Sequence, residues 1–140
     1  MNRKASILVL DREITRINYF DLNFKSKVLN YKVTKNIYEF QEALVSRKWD
    51  FIFIEHDLAS NVLASNDPSS GYNALPMISE NYAFKDEANI FVHTNNPQGS
   101  KNMQEFAYVN NMKITFVPYG SSAFKAEIVK VAKFLDETQY

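Results

Sequence analysis

The stretch Trp49-Asp50-Phe51-Ile52-Phe53-Ile54-Glu55-His56-Asp57-Leu58-Ala59-Ser60 decides the fold. Four successive apolar residues, Phe51 to Ile54, have the composition of a strand buried on both faces, and they run directly into the polar triplet Glu55-His56-Asp57. Such a strand delivers polar groups to one edge of a sheet. In open parallel sheets, ligands bind outside the carboxyl ends of the strands, so the triplet is the first place to look for chemistry.

Upstream of it, Ile7-Leu8-Val9-Leu10 is a second short apolar run, and it also ends on an acid, Asp11. The intervening chain reads as a helix from Arg12 to Phe24, carrying Ile14, Ile17, Tyr19, Phe20 and Leu22, and then a strand over Tyr31 to Val33. Asn36-Ile37-Tyr38-Glu39 has the spacing of a capping box opening a helix that buries Ile37, Phe40, Ala43 and Leu44. Downstream, Leu58 to Ser70 is rich in Ser, Asn and Asp and is long enough to be a functional loop placed to cover a site. Tyr72 to Phe84 is expected to be helical, and Asn89 to His93 to be a strand with His93-Thr94 at its polar end. A helix starting near Ser100 uses Met103, Phe106, Ala107 and Val109. The fifth strand runs from Ile114 to Val117, and the last helix, Ser122 to Glu137, carries Phe124, Ile128, Val131, Ala132 and Leu135 on one stripe.

Five strands alternating with five helices predict a single α/β domain over residues 1–140, a doubly wound parallel sheet with right-handed crossovers. In the flavodoxin-like order 2-1-3-4-5, strands one, three and four are neighbours spaced about 4.8 Å apart. Asp11, the Glu55-His56-Asp57 triplet and His93 are then expected to converge on one cleft. The only two histidines of the chain lie at the ends of adjacent strands.

The totals remove several classes of function. Sixteen basic residues against sixteen acidic ones give no net charge, so no broad nucleic-acid-binding surface is expected. Without cysteine there is no disulfide, no thiolate zinc site and no thiol nucleophile. The apolar run before Asp11 is too short for a signal-peptide core or a membrane span, and the expected location is the cytoplasm, with no membrane contact.

The acids at strand ends make the whole chain resemble the receiver domain of response regulators, with altered signature residues. Asp11 matches one member of the receiver's acidic pair, Arg12 stands in place of the second, and Glu55 takes the place of the phosphoacceptor aspartate. Thr94 fits the hydroxyl after strand four, while Phe116-Val117-Pro118-Tyr119 keeps the proline of strand five and lacks the lysine before it. The chain is still more similar to the receiver-like family predicted to process cyclic phosphates, found in bacteria and their phages. That family pairs an acid-His-Asp-Leu motif with a His-Ser/Thr-x-Asn-Pro-x-Gly motif. They stand here as Glu55-His56-Asp57-Leu58 and His93-Thr94-Asn95-Asn96-Pro97-Gln98-Gly99, followed by Asn102-Met103, with Gly71-Tyr72 matching a further short element.

The resemblance implies a phosphoesterase that opens a cyclic phosphate, in a cyclic nucleotide or at an RNA end with a 2′,3′-cyclic phosphate, in the host cytoplasm where the gene is a phage's. Such a reaction needs a base to activate water, an acid for the leaving alkoxide, and donors around the phosphoryl oxygens. Histidine titrates near neutrality, so His56 and His93 are expected to divide the two proton transfers, with Asp57 or Asp11 orienting a ring. Thr94, Asn95, Asn96, Gly99, Ser100 and Lys101, at the turn leading into helix four, are expected to cradle the phosphate. The spacing of a P-loop is absent. A divalent metal held by Asp11 with Glu55 or Asp57 is the competing chemistry, and histidine in that set would suit manganese, iron or zinc better than magnesium. The alternative function is an inactive pseudo-receiver that binds a protein partner or sequesters a nucleotide. The competing structural reading of the same residues makes Asp57 a turn cap, Asn95-Asn96-Pro97 turn chemistry and the aromatic residues core and surface packing.

Overall fold

The computed structural model describes residues 5–59, 62–81 and 88–137. Five short strands, β1 (Ser6–Leu10), β2 (Asn30–Thr34), β3 (Phe51–Ile54), β4 (Asn89–Val92) and β5 (Ile114–Phe116), form one parallel sheet in the order β2-β1-β3-β4-β5. They alternate with helices α1 (Ile14–Phe24), α2 (Ile37–Ser46), α3 (Ala74–Ser79), α4 (Pro97–Val109) and α5 (Ser122–Glu137). This is the doubly wound architecture and the strand order that the sequence predicts.

Because side chains alternate along a strand, the sheet divides its apolar residues between two cores. Ile7, Val9, Phe51, Phe53 and Phe91 face α1 and α5, where they meet Phe20, Phe24, Phe124 and Ile128. Leu8, Leu10, Ile52, Ile54, Ile90 and Val92 face α2, α3 and α4, against Phe40, Leu44, Leu75, Ile78 and Met103. The first core is aromatic, with Phe53 and Phe91 stacked at 4.7 Å between centroids. Each fully buried side chain of this size stabilises the fold by about 1.5–3 kcal/mol, so both faces of the sheet are firmly fixed.

The element boundaries depart from expectation in three instructive places. Helix α1 begins at Ile14, because the Glu13 carboxylate accepts the backbone N–H groups of Thr15 and Arg16 as an N-cap. Its buried stripe is Ile17, Phe20 and Phe24, leaving Ile14 and Leu22 exposed. Helix α3 is shorter than the expected Tyr72–Phe84: a 3-10 turn over Gly71–Asn73 leads into it and it ends at Ser79, while Tyr82, Ala83 and Phe84 lie outside the described residues. Helix α4 begins at Pro97, three residues before Ser100, because Asn96 caps it through the Gly99 N–H. Pro97 also takes the first helical position, where a missing N–H is no loss. Among the described residues no helix is long and apolar enough to cross a membrane.

Candidate functional site

Backbone register determines which strand-end side chains meet. Leu10 pairs with Ile54, and Ile54 with Val92, so Asp11, Glu55 and His93 leave the three central strands at the same level. The preceding residues face α2, α3 and α4, so these three turn to the opposite side, toward α1 and α5. All three are buried, and each offers a ligand-type atom within 4.8 Å of the others.

Asp11 is the hub of this group. Its Oδ2 accepts from His93 Nε2 at 2.8 Å and from Arg16 Nε at 2.7 Å. Its Oδ1 accepts from Arg16 Nη2 at 2.9 Å and from the backbone N–H groups of Arg12 and Glu13 at 2.7 and 3.0 Å. Burial pushes the Asp11 carboxyl up, but the hydrogen bond from His93, the Arg16 guanidinium and the Glu13 N–H outweigh it and hold the group at about 2. The His93 ring is fixed by Phe20 and Phe124, at 5.0 and 6.2 Å between centroids, and its Nδ1 has no hydrogen-bond partner among the described residues. Glu55 accepts from the Thr94 hydroxyl at 2.8 Å and from the Asp57 N–H at 2.9 Å, both through Oε2.

His56, one residue beyond Glu55, points the other way. Gly99 of α4 packs on its ring so closely that a Cβ there would lie 2.6 Å from Cγ and 2.8 Å from Cδ2 and Nδ1. Asn102 Nδ2 donates to the Ser65 hydroxyl, which is hydrogen-bonded to His56 Nε2 at 2.9 Å. The Asp57 carboxylate can only accept, so His56 Nδ1 carries a proton and donates to Asp57 Oδ1 at 2.8 Å. The same Asp57 oxygen accepts from the Leu63 N–H and from Asn96 Nδ2. Burial raises the Asp57 carboxyl, yet the donors Leu63, His56 and Asn96 prevail and hold it below the ordinary carboxylate range. Gly71 closes this side from below: its N–H donates to the His56 carbonyl at 2.7 Å, and a Cβ would collide with the Glu55 carbonyl oxygen.

A cleft of about 690 Å³ opens at the strand ends, lined by Arg12, Glu13, Arg16, Glu55, Asp57, Asn95 and Asn96 among others. Neither imidazole lines it, and both are fully buried. The expected convergence of the two histidines on one cleft is thus not met: they occupy opposite faces of the sheet, each behind a carboxylate. The expected phosphate cradle is also altered. The Gly99 N–H is taken by Asn96 Oδ1 at 3.0 Å and the Ser100 N–H by the Asn96 carbonyl at 2.9 Å. Thr94 is committed to Glu55, and Lys101 is exposed outside the cleft. Of that set, only Asn95 and Asn96 reach the cleft.

The donor set does not fit a resident metal ion. Asp11, Glu55 and His93 are near enough to share one, but Arg16 already forks both oxygens of Asp11, and a cation would have to displace that guanidinium. Asp57, the other candidate ligand, stands outside the trio. Arg16 escapes a reading that looks only at strand tips. The signal that could have found it is a basic residue five positions after the strand-end acid, in the first turn of the following helix.

This fold and strand-end site define a receiver-like domain. The chain superimposes on a CheY-like response regulator receiver domain protein from Methanospirillum hungatei with a TM-score of 0.66 at 10% identity, covering 96% of each chain. A sensor protein from Polaromonas gives 0.66 at 12%, covering 96% of this chain and 98% of that one. A Burkholderia pseudomallei response regulator, solved with a phosphorylated aspartic acid, a calcium ion and citrate, gives 0.62 at 16%, covering 96% and 72%. At such identities the likeness is one of fold. No protein with a curated description matches the sequence. Residues 7–108 match the cyclic-phosphate processing receiver domain, and the protein belongs to that family.

Proposed function

We propose that the protein is a phosphoesterase that opens a cyclic phosphate ester in the strand-end cleft. One observation carries this reading: two guanidiniums, Arg12 and Arg16, line the same cleft as the carboxylates Glu55 and Asp57 and the amides Asn95 and Asn96. The guanidiniums and amides supply the donors that a phosphoryl group in transit requires. Glu55 has one oxygen, Oε2, filled by Thr94 and Asp57 N–H, which leaves Oε1 for a water. In the proposed step that water adds to phosphorus and gives its proton to Glu55. The ring P–O bond breaks, and the alkoxide, held by a guanidinium, takes a proton from solvent. His93 and His56 act here as positioning residues: His93 holds Asp11 and through it Arg16, and His56 holds Asp57.

The test is incubation with 2′,3′-cyclic, 3′,5′-cyclic and oligonucleotide cyclic phosphates, with products resolved by phosphorus NMR. Ring-opened monoesters are expected, and Glu55→Gln should lower the rate by about 10²- to 10⁴-fold, the usual worth of a general base. Tight binding of these compounds without any product would instead make the protein a nucleotide-sequestering pseudo-receiver.

A further inference from the structure

We propose that the groove between the loop after β3 and helix α4 is a nucleobase site, so that the ligand whose phosphate lies in the arginine cleft is a nucleotide. This rests on the reading above for the location of the phosphate. The groove, about 840 Å³, is within the range of roughly 300–1,000 Å³ usual for small-molecule sites. Three features specify its occupant.

The first is continuity. Val62 and Asn96 line both the groove and the cleft, so one ligand can extend from one into the other. The second is charge. No lysine or arginine lines the groove and Glu105 does, so it repels the phosphate that the neighbouring cleft attracts. A bipartite ligand with one anionic end and one neutral end fits the pair. The third is chemistry. Tyr72 and Phe106, edge to face at 5.7 Å, give an apolar aromatic wall, and Gln98 and Asn102 set carboxamides beside it. Base faces bind to aromatic surfaces, and carboxamides match the donor and acceptor pairs of base edges. These amides are held in place: Gln98 Nε2 donates to Asn102 Oδ1 at 2.8 Å, and Asn102 Nδ2 to Ser65 Oγ at 2.8 Å. Ser65 in turn holds His56, and His56 holds Asp57 at the cleft. The buried histidine thus ties the groove wall to the cleft wall, which fixes the distance between base and phosphate.

The experiment compares calorimetric binding of two slowly hydrolysed probes, a nucleoside 2′,3′-cyclic phosphorothioate and glycerol 1,2-cyclic phosphorothioate. The nucleoside probe is expected to bind at least tenfold more tightly. Ala64→Trp, at an exposed position in the groove, should abolish that preference while leaving the glycerol probe unaffected, and Phe106→Ala should reduce it. Equal affinity for the two probes, binding of neither, or a preference that survives Ala64→Trp overturns the proposal. Turnover separates this from the phosphoesterase reading. If nucleotides bind with the preference but are never opened, the hydrolytic reading falls and the groove stands. If glycerol 1,2-cyclic phosphate is opened as fast as any nucleotide, the groove falls and hydrolysis stands.

Discussion

The contact between Gly99 and His56 can be measured, because two opposing effects meet at one methyl group. Gly99 is the third residue of α4, and replacing a helical glycine by alanine ordinarily stabilises a protein by about 0.5–1 kcal/mol. Here the added Cβ would lie 2.6 to 2.8 Å from three atoms of the His56 ring. The ring cannot swing aside freely, since Asp57 holds one nitrogen at 2.8 Å and Ser65 the other at 2.9 Å. Overpacking of this kind costs about 1–3 kcal/mol. Gly99→Ala is therefore expected to destabilise the protein by about 1–2 kcal/mol. With His56→Ala already in place the obstruction is gone, and the same substitution should stabilise it by up to about 1 kcal/mol.

Urea unfolding of the four proteins at pH 7, followed by fluorescence of the buried Trp49, closes the double-mutant cycle. The expected coupling is about 1–3 kcal/mol, the relieved clash alone, because the helix propensity of alanine enters both arms of the cycle and cancels. A coupling within about 0.5 kcal/mol of zero, or a parent protein stabilised by Gly99→Ala, would show that His56 does not pack on α4 as described.

Two further expectations concern Asp11. Arg16→Ala leaves its buried carboxylate without the guanidinium and should cost about 3 kcal/mol, the low end for breaking a buried pair since Arg16 is partly exposed. Manganese should then broaden its electron paramagnetic resonance signal with this variant and not with the parent; binding to the parent would refute the occupancy argument. The Asp11 carboxyl is held at about 2 against an ordinary 3.8, so its contribution is complete above pH 4 and is lost as pH falls through 2. That amounts to about 2 kcal/mol, and urea unfolding between pH 5 and 2 should show a shallower loss for Asp11→Asn than for the parent.

Much of this was legible in the sequence because buried parallel strands are written as short apolar runs, each ending abruptly on a polar residue. Ile7 to Leu10, Phe51 to Ile54 and Ile90 to Val92 gave the three central strands, and Asp11, Glu55 and His93 their tips. Parallel register was not legible, and one residue of register decides the site. His93 is level with Glu55 and not with His56, so the alternation that brings His93 to Asp11 sends His56 to the other core. The start of α4 was obscured for a different reason. Asn96-Pro97 reads equally as a turn and as a capped helix start, and only the hydrogen bond from the Gly99 N–H to Asn96 distinguishes them.

The charges around the cleft bear on which phosphate it would take. Two guanidiniums, Arg12 and Arg16, share the lining with three carboxylates, Glu13, Glu55 and Asp57. All three carboxylates are engaged with donors: Glu13 caps α1, Glu55 accepts from the Thr94 hydroxyl and the Asp57 N–H through Oε2, and Asp57 accepts from Leu63, His56 and Asn96. Such a lining suits an anion of low charge better than one of high charge. A cyclic phosphodiester carries a single negative charge, whereas a phosphomonoester carries about −1.5 to −2 at neutral pH. Under the proposed reading, ring opening therefore raises the charge of the bound ligand beside Glu55 and Asp57, and the product is held less tightly than the ring from which it came. The excess of carboxylates, which at first sight argues against a phosphate site, then favours release once the ring has opened.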